Sequence, residues 1–321
     1  TELTEQIKVN AEFQYPENCK NGKCAETQIS GQTLWDKQEE IAQLLVQDGN
    51  ITNEYIDDYG TVQYKIYEIA ENNATLVISD DTLNYATDQA SYINNVLFSD
   101  SHFDDYNGNK YQDKTDLPFM PQKEAWKNVS EVLDKLGVDV SDDVICYVME
   151  HSIMCEEEKK AIARAEEEDT KIPTAKTQWT EDDDCYYFMT YTTWQDYPVL
   201  PPVMGEGFDE NNVSVIYDKN GIQSLSINGY YPLELKNEVE VVSPEMVLKA
   251  LEKYFGNIIS DDIYEVQRIS LCQKVVQVNP DKHSAEIEPV WECRVLVKNS
   301  DSPDSSYLQK IYFHAETLKV M

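Results

Sequence analysis

Apolar and polar residues alternate with a period of two through much of this chain, and two Asn-Gly dipeptides stand between such runs. That combination constrains the fold most. Alternation puts one face of each run into a core, and Asn-Gly supplies the positive φ angles that a two-residue hairpin turn requires. In IKVNAEFQY (7–15), Ile7, Val9, Ala11, Phe13 and Tyr15 share a face, so a half-buried strand is expected, followed by a hairpin at Asn21-Gly22. TVQYKIYEIA and TLVIS flank ENNA as a second hairpin, and NVSVIYDKNGIQSLSINGYY (212–231) turns at Asn220-Gly221 as another. CYYFMTYTTWQDYPVLPP (185–202) is aromatic and β-branched, hence strand, ending in a proline-rich turn. Two long runs, about 263–278 and 287–297, and a last one in LQKIYFHAETL complete the set.

Helical spacing interrupts this pattern. TLWDKQEEIAQLLV (33–46) steps through Leu34, Ile41, Leu44 and Leu45, and TDQASYINNVL (87–97) suggests a short helix. Residues 122–136 carry Trp126, Val129, Leu133 and Leu136 at intervals of three and four, with Gly137 as the stop. Ser243 caps a helix with Pro244 at its first position, and Gly256 ends it. CEEEKKAIARAEEEDT (155–170) has little apolar face and reads as a solvated excursion. The expected class is α+β, with antiparallel sheets and helices packed on one face. The polar, turn-rich stretch 99–121 ends in two prolines and marks a boundary, giving an N-terminal α+β domain at 1–118 and a C-terminal one at 119–321. LGVDVSDDVI (136–145) and FGNIISDDIY (255–264) repeat G-x₃-S-D-D, matching Gly137/Ser141 with Gly256/Ser260. A duplicated helix–strand unit is one reading of that echo and coincidence the other.

Charge excludes several partners. With 60 acidic against 26 basic residues the net charge is −34, which repels nucleic-acid backbones and anionic lipid. No apolar run approaches the ~18 residues of a membrane span.

PENCKNGKCAE (16–26) bears on compartment. A turn at Asn21-Gly22 pairs Lys20 with Lys23 and sets Cys19 opposite Cys24 one step further out. Such a pair lies at ~4.5 Å between Cα atoms, within the range of a disulfide. A Cys19–Cys24 cross-strand disulfide and an oxidising compartment are expected. Free thiols and half a zinc site are the alternatives, and zinc lacks a second C-x₂-C or H-x₃₋₅-H pair. Cys146, Cys155, Cys185, Cys272 and Cys293 are left unassigned. Ile269 and Leu271 share an apolar face, which turns Cys272 the other way, whereas Cys293 sides with Trp291 and Val295.

No residue is assigned a catalytic, cofactor or metal role. In DYNGNKYQDKTD (105–116), Asp105, Asn107, Asn109, Asp113 and Asp116 follow a calcium-loop spacing, but Lys110 replaces the sharp-turn glycine and Pro118 follows closely. A solvated acidic loop is the expectation. His102, His151, His283 and His314 form no ligand pair, and no G-x-S-x-G, phosphate-cradling loop or Cys-His signature is present. The Tyr186–Tyr197 segment suits a stacking groove or a core, and strand spacing favours the core.

From about residue 180 the pieces DDCYYFMTYTTWQDYPVLPP, VSVIYDKNGIQSLSINGYYPL, VVSPEMVLKALEKYF, YEVQRISLCQKVV, IEPVWECRVLV and IYFHAETLKVM follow one another. In that order they resemble the extracytoplasmic YycH/YycI-type regulatory proteins of Gram-positive bacteria and related surface lipoproteins. Gln273, Cys293 and Leu318 stand where that pattern has an aromatic, a phenylalanine and a glycine. The resemblance implies a non-enzymatic envelope protein, attached to the membrane only through a lipid or helix anchor outside this chain, that binds or regulates a cell-envelope partner or an extracellular ligand. A secreted hydrolase using two carboxylates is the alternative.

Overall fold

The computed structural model describes residues 4–16, 19, 22–46, 49–60, 62–94, 111, 116–171, 173–176, 178–200, 212–258, 260–279, 284–300 and 307–321. In chain order its elements are β1 (Ile7–Gln14), β2 (Lys23–Ile29), α1 (Gln38–Val46), β3 (Ile51–Asp58), β4 (Gln63–Ile69), β5 (Ala74–Ile78) and β6 (Thr82–Ala86). Then come α2 (Asp88–Tyr92), α3 (Gln122–Leu136), β7 (Ile145–Met149), α4 (His151–Glu167), β8 (Cys185–Thr190), β9 (Thr193–Trp194) and β10 (Tyr197–Leu200). The last are β11 (Val213–Asp218), β12 (Gly221–Asn228), β13 (Leu233–Glu240), α5 (Pro244–Phe255), β14 (Ile263–Asn279), β15 (Ser284–Lys298) and β16 (Tyr307–His314). The fold is α+β. The chain divides into two compact units, one of residues 1–30, 193–202 and 233–321, the other of 31–192 and 203–232. The expected boundary at residue 118 therefore falls inside the second unit. The chain leaves and re-enters each unit, a topology that turn-rich composition does not reveal.

The second unit is built on an eight-stranded sheet of order β3-β4-β5-β6-β12-β11-β8-β7, antiparallel at every step. All of β8 is buried because both faces are covered. Tyr186 and Phe188 join Ile41 of α1 and Val129 and Leu133 of α3 in one cluster. Tyr187 and Met189 join Ala90 of α2 and Met154 of α4 in another. The Tyr-rich segment is thus core. At the Asn220-Gly221 hairpin, Asp218 pairs with Gly221, so Lys219 and Asn220 form the loop and Gly221 takes the left-handed φ of 107°. Helix α4 begins at His151, earlier than its charge pattern suggests, and is no solvated excursion: it buries Met154, Glu157, Glu158 and Ala165.

In the first unit, β14 is the long central strand. It pairs antiparallel with β15, and β15 with β16, while β1 and β10 run parallel to it. One face is the apolar core: Val247, Leu251 and Phe255 of α5 pack with Ile269, Leu271, Trp291, Cys293, Val295, Ile311 and Phe313. Here the helix sits on one sheet face, as expected. Phe255 stacks on Tyr264 at 4.0 Å between ring centroids. Gln273 also lies on this face, fully buried, donating from Nε2 to Ala25 O at 2.9 Å and accepting from Thr27 Oγ1 at 2.9 Å. Leu318, at the position of the resembled glycine, adopts a φ of 57°.

Among the described residues β1 and β2, the strands expected to form a hairpin at Asn21-Gly22, are not paired with each other: β1 pairs with β14 and β2 with β13. Asn21 itself lies outside the described residues. The G-x₃-S-D-D echo is local. Asp143 N donates to Ser141 Oγ at 3.0 Å and Asp262 N to Ser260 Oγ at 3.1 Å, but Gly137 is left-handed (φ 71°) and Gly256 is helical (φ −63°).

Candidate functional site

Among the residues singled out in the sequence, Cys19 and Cys24 are both buried, and this structure has no bond between them. Cys19 sits in a turn, its N–H donating to Pro16 O at 3.0 Å and its carbonyl accepting from Gly22 N at 3.2 Å, while Cys24 pairs with Val239 on β13. Both cysteines gather around Tyr197, whose hydroxyl shares a 2.7 Å hydrogen bond with Cys19 Sγ and accepts from Ala25 N at 3.2 Å. Burial, then negative charge at Cys19 and Glu316, pushes the Cys24 thiol up to about 12. Cys293 is core, as alternation requires, and its partner across the ladder is Ile269, not Cys272.

Of the proposed calcium loop, Asp105, Asn107, Asn109 and Asp113 lie outside the described residues; Asp116 accepts from Gln122 N at 3.0 Å at the start of α3. His102 and His283 are likewise outside them. Among the described residues no group of three His, Cys, Asp or Glu is placed to hold a metal ion.

The densest titratable cluster surrounds α4. Asp184 Oδ1 accepts from the His151 backbone N–H at 2.6 Å and lies 2.7 Å from His151 Nδ1. Glu158 Oε1 accepts from Tyr92 OH at 2.7 Å and Lys176 N at 2.8 Å. Lys176 Nζ pairs with Asp183 and lies 4.6 Å from the Trp179 ring centroid. Burial works against the Asp183 carboxylate, but bonds from Lys176 and Thr180 N outweigh it and hold its pKa below the usual value. An imidazole backed by a carboxylate can act as a general base. Among the described residues, however, no hydroxyl or thiol hydrogen-bonds to its Nε2. These acids fasten α4 to the 3₁₀ turn at Glu181–Asp183 that leads into β8.

An exposed strand edge and a buried polar sheet face are also organised. The first is the β3–β4 hairpin. Strand β3 is the outer strand of its sheet and pairs only with β4 among the described residues. Ile51, Tyr55, Ile56 and the following Tyr59 are all exposed. Tyr59 meets Tyr64 edge-on at 5.9 Å, and Gly60 N and Gln63 Nε2 donate to Asp58 at 2.7 and 2.9 Å, closing the turn. Glu54 pairs with Lys65 across the hairpin, and Asp57 lies on the same strand. Apolar groups and carboxylates therefore sit side by side along an open ladder edge.

The second is the face of the β14–β15–β16 sheet turned away from the α5 core, where Ser270, Cys272, Lys274 and Glu292 are all buried. Register places Arg268 opposite Arg294, Ser270 opposite Glu292 and Glu292 opposite Tyr312. Alternation then puts Cys272, Lys274 and Lys310 on this face as well. Arg164, Arg268 and Arg294 are the arginines of the whole chain, so two of them face this patch. Arg268 Nη2 reaches Glu292 Oε1 at 3.4 Å, and Lys274 Nζ lies 4.2 Å from the Tyr312 ring centroid. Burial, then Glu292, raises the Cys272 thiol, which stays neutral. Neither surface was singled out from the sequence. The scarcity of arginine, combined with the alternation of 263–278 and 287–297, was the available signal for the second.

No protein-family model and no curated protein matches the chain. A crystal structure of an uncharacterized protein from Eubacterium rectale ATCC 33656 is similar in fold, with a TM-score of 0.70 at 17% identity over 99% of this chain and 91% of that one. The likeness concerns the fold alone. Among the described residues no helix is long and apolar enough to cross a membrane.

Proposed function

We propose that this chain is a non-enzymatic extracytoplasmic protein that binds a cell-envelope partner, in the manner of the YycH/YycI-type regulators and surface lipoproteins it resembles. The observation carrying the binding role is the β3 edge, where Ile51, Tyr55, Ile56 and Tyr59 are exposed on an outer strand. Globular proteins blunt such edges against self-pairing. Glu54, Asp57 and Asp58 do so here against a second copy of the same acidic strand, yet they complement an extended segment rich in Lys or Arg. The partner is therefore taken to be a basic, extended segment of another envelope protein that adds itself to β3 as a strand. In an oxidising compartment the neighbouring thiols of Cys19 and Cys24 would join, passing both hydrogens to a disulfide donor.

The test is the pair Ile56→Asp and Tyr59→Asp, both at exposed positions, in the natural host. Loss of a co-isolated partner whose bound segment is basic, with the melting temperature unchanged, is the expected result. A partner retained by the variant, or self-association of the parent chain through β3, contradicts the proposal.

A further inference from the structure

A cleft of about 310 Å³ lies between α1 and the C-terminal end of α3, at the small end of the range for ligand pockets. Ile41, Leu44 and Leu136 give it an apolar lining, and Lys37, Glu40 and Lys135 line it as well. Helical spacing lets one segment supply both kinds of wall. Lys37, Ile41 and Leu44 follow at intervals of four and three, so they share a face of the turn that runs into α1. The two ammonium groups meet the cleft at the end of α3. Lys37 Nζ donates to Leu136 O at 3.1 Å, and Lys135 is the residue before Leu136. Gly137 leaves room for this contact, because a Cβ there would stand 3.2 Å from Lys37 Nζ. That bond uses one of the three N–H donors of the Lys37 ammonium. Lys135, exposed on the last turn of α3, makes no hydrogen bond or ion pair among the described residues, and neither lysine is paired with Glu40.

We propose that this cleft binds a small monocarboxylic acid with a short aliphatic tail. The tail lies on Ile41, Leu44 and Leu136, and the carboxylate accepts from Lys37 and Lys135. Charge selects the head group: two ammonium groups beside Glu40 leave a single positive charge, which a carboxylate neutralises and a dianion exceeds. The size of the cleft excludes a membrane lipid. The chain's net charge of −34 slows the approach of any anion, but salt screens it beyond about 8 Å, whereas the two lysines act at contact. The cleft lies in the unit of residues 31–192 and 203–232, and filling it needs neither strand addition at β3 nor an envelope partner.

The experiment is titration of the full chain with octanoate and, separately, with octanol, which has the same chain length and no charge. Binding is followed by the ¹³C-methyl signals of Ile41, Leu44 and Leu136. Saturable octanoate binding that moves these three signals is expected, with octanol weaker by about fivefold or more. Lys135→Met should weaken octanoate about fivefold, the worth of one exposed charge pair, and leave the melting temperature unchanged. Lys135→Arg keeps the charge and should retain octanoate within about twofold. No saturable binding, signal changes confined to residues outside the cleft, equal affinity for octanol, or equal binding by the parent and Lys135→Met overturns the assignment.

Discussion

Gln273→Leu tests the account of the first unit where polar and apolar demands meet. Gln273 is fully buried in the core, with Nε2 on Ala25 O and Oε1 on the Thr27 hydroxyl, both at 2.9 Å. Leucine fills most of the glutamine's volume, so the cavity contribution is small. Two hydrogen bonds are lost at about 1 kcal/mol each, and the Thr27 hydroxyl, 3% exposed, is left buried without an acceptor at about 1 kcal/mol more. Burying leucine in place of an amide returns part of this, so the net loss is about 2 kcal/mol. Adding Thr27→Val removes the orphaned hydroxyl and should recover about 1 kcal/mol, because replacing both partners by apolar groups is far milder than replacing one. The assay is urea unfolding followed by tryptophan fluorescence, with Trp194 and Trp291 reporting on this unit. The slope against denaturant should stay constant across the three variants. A Gln273→Leu chain as stable as the parent, or a double variant no better than the single one, would refute the reasoning.

Three further outcomes follow from local geometry. Gly137→Ala should cost about 1 kcal/mol, because φ is 71° there and the new Cβ would stand 3.2 Å from Lys37 Nζ; Gly256→Ala, at a helical φ, should cost less, and comparative thermal melts check the pair. Leu318→Gly should be tolerated and Leu318→Val should lose about 1–2 kcal/mol, since a φ of 57° penalises a β-branched side chain most. Asp183 has a depressed folded pKa, so its contribution is present above the unfolded value of ~3.9 and lost as pH falls through the folded one. Asp183→Asn should accordingly flatten the acid limb of a stability–pH curve, and an unchanged limb would remove Asp183 from the account.

Alternation and helical spacing made the elements legible wherever one face was buried. The 122–136 helix emerges with its bounds intact because Ala125, Val129, Leu133 and Leu136 form a single buried stripe ended by a left-handed glycine. Strand β3 was not legible, since both of its faces are exposed and no apolar alternation marks it. Pairing was least legible. The turn chemistry of Asn21-Gly22 is local, whereas the partners of β1 and β2 lie more than two hundred residues away in β14 and β13. The acidic face of α4 misled for a related reason: its carboxylates are buried by Tyr92 and by the Lys176 backbone, which sequence spacing does not bring together. Lys274 was hidden because a lysine in a strand looks like a solvated one until the fold brings the Tyr312 ring centroid to 4.2 Å from its Nζ.

The most direct test of the binding role is photo-crosslinking in intact cells from probes placed singly at Tyr55, Tyr59 and, as a control on the other unit, Tyr307. Adducts at Tyr55 and Tyr59, but not Tyr307, to one extended basic segment of an envelope protein are expected. Adducts to a second copy of this chain, or equal labelling from all three positions, would contradict the central claim.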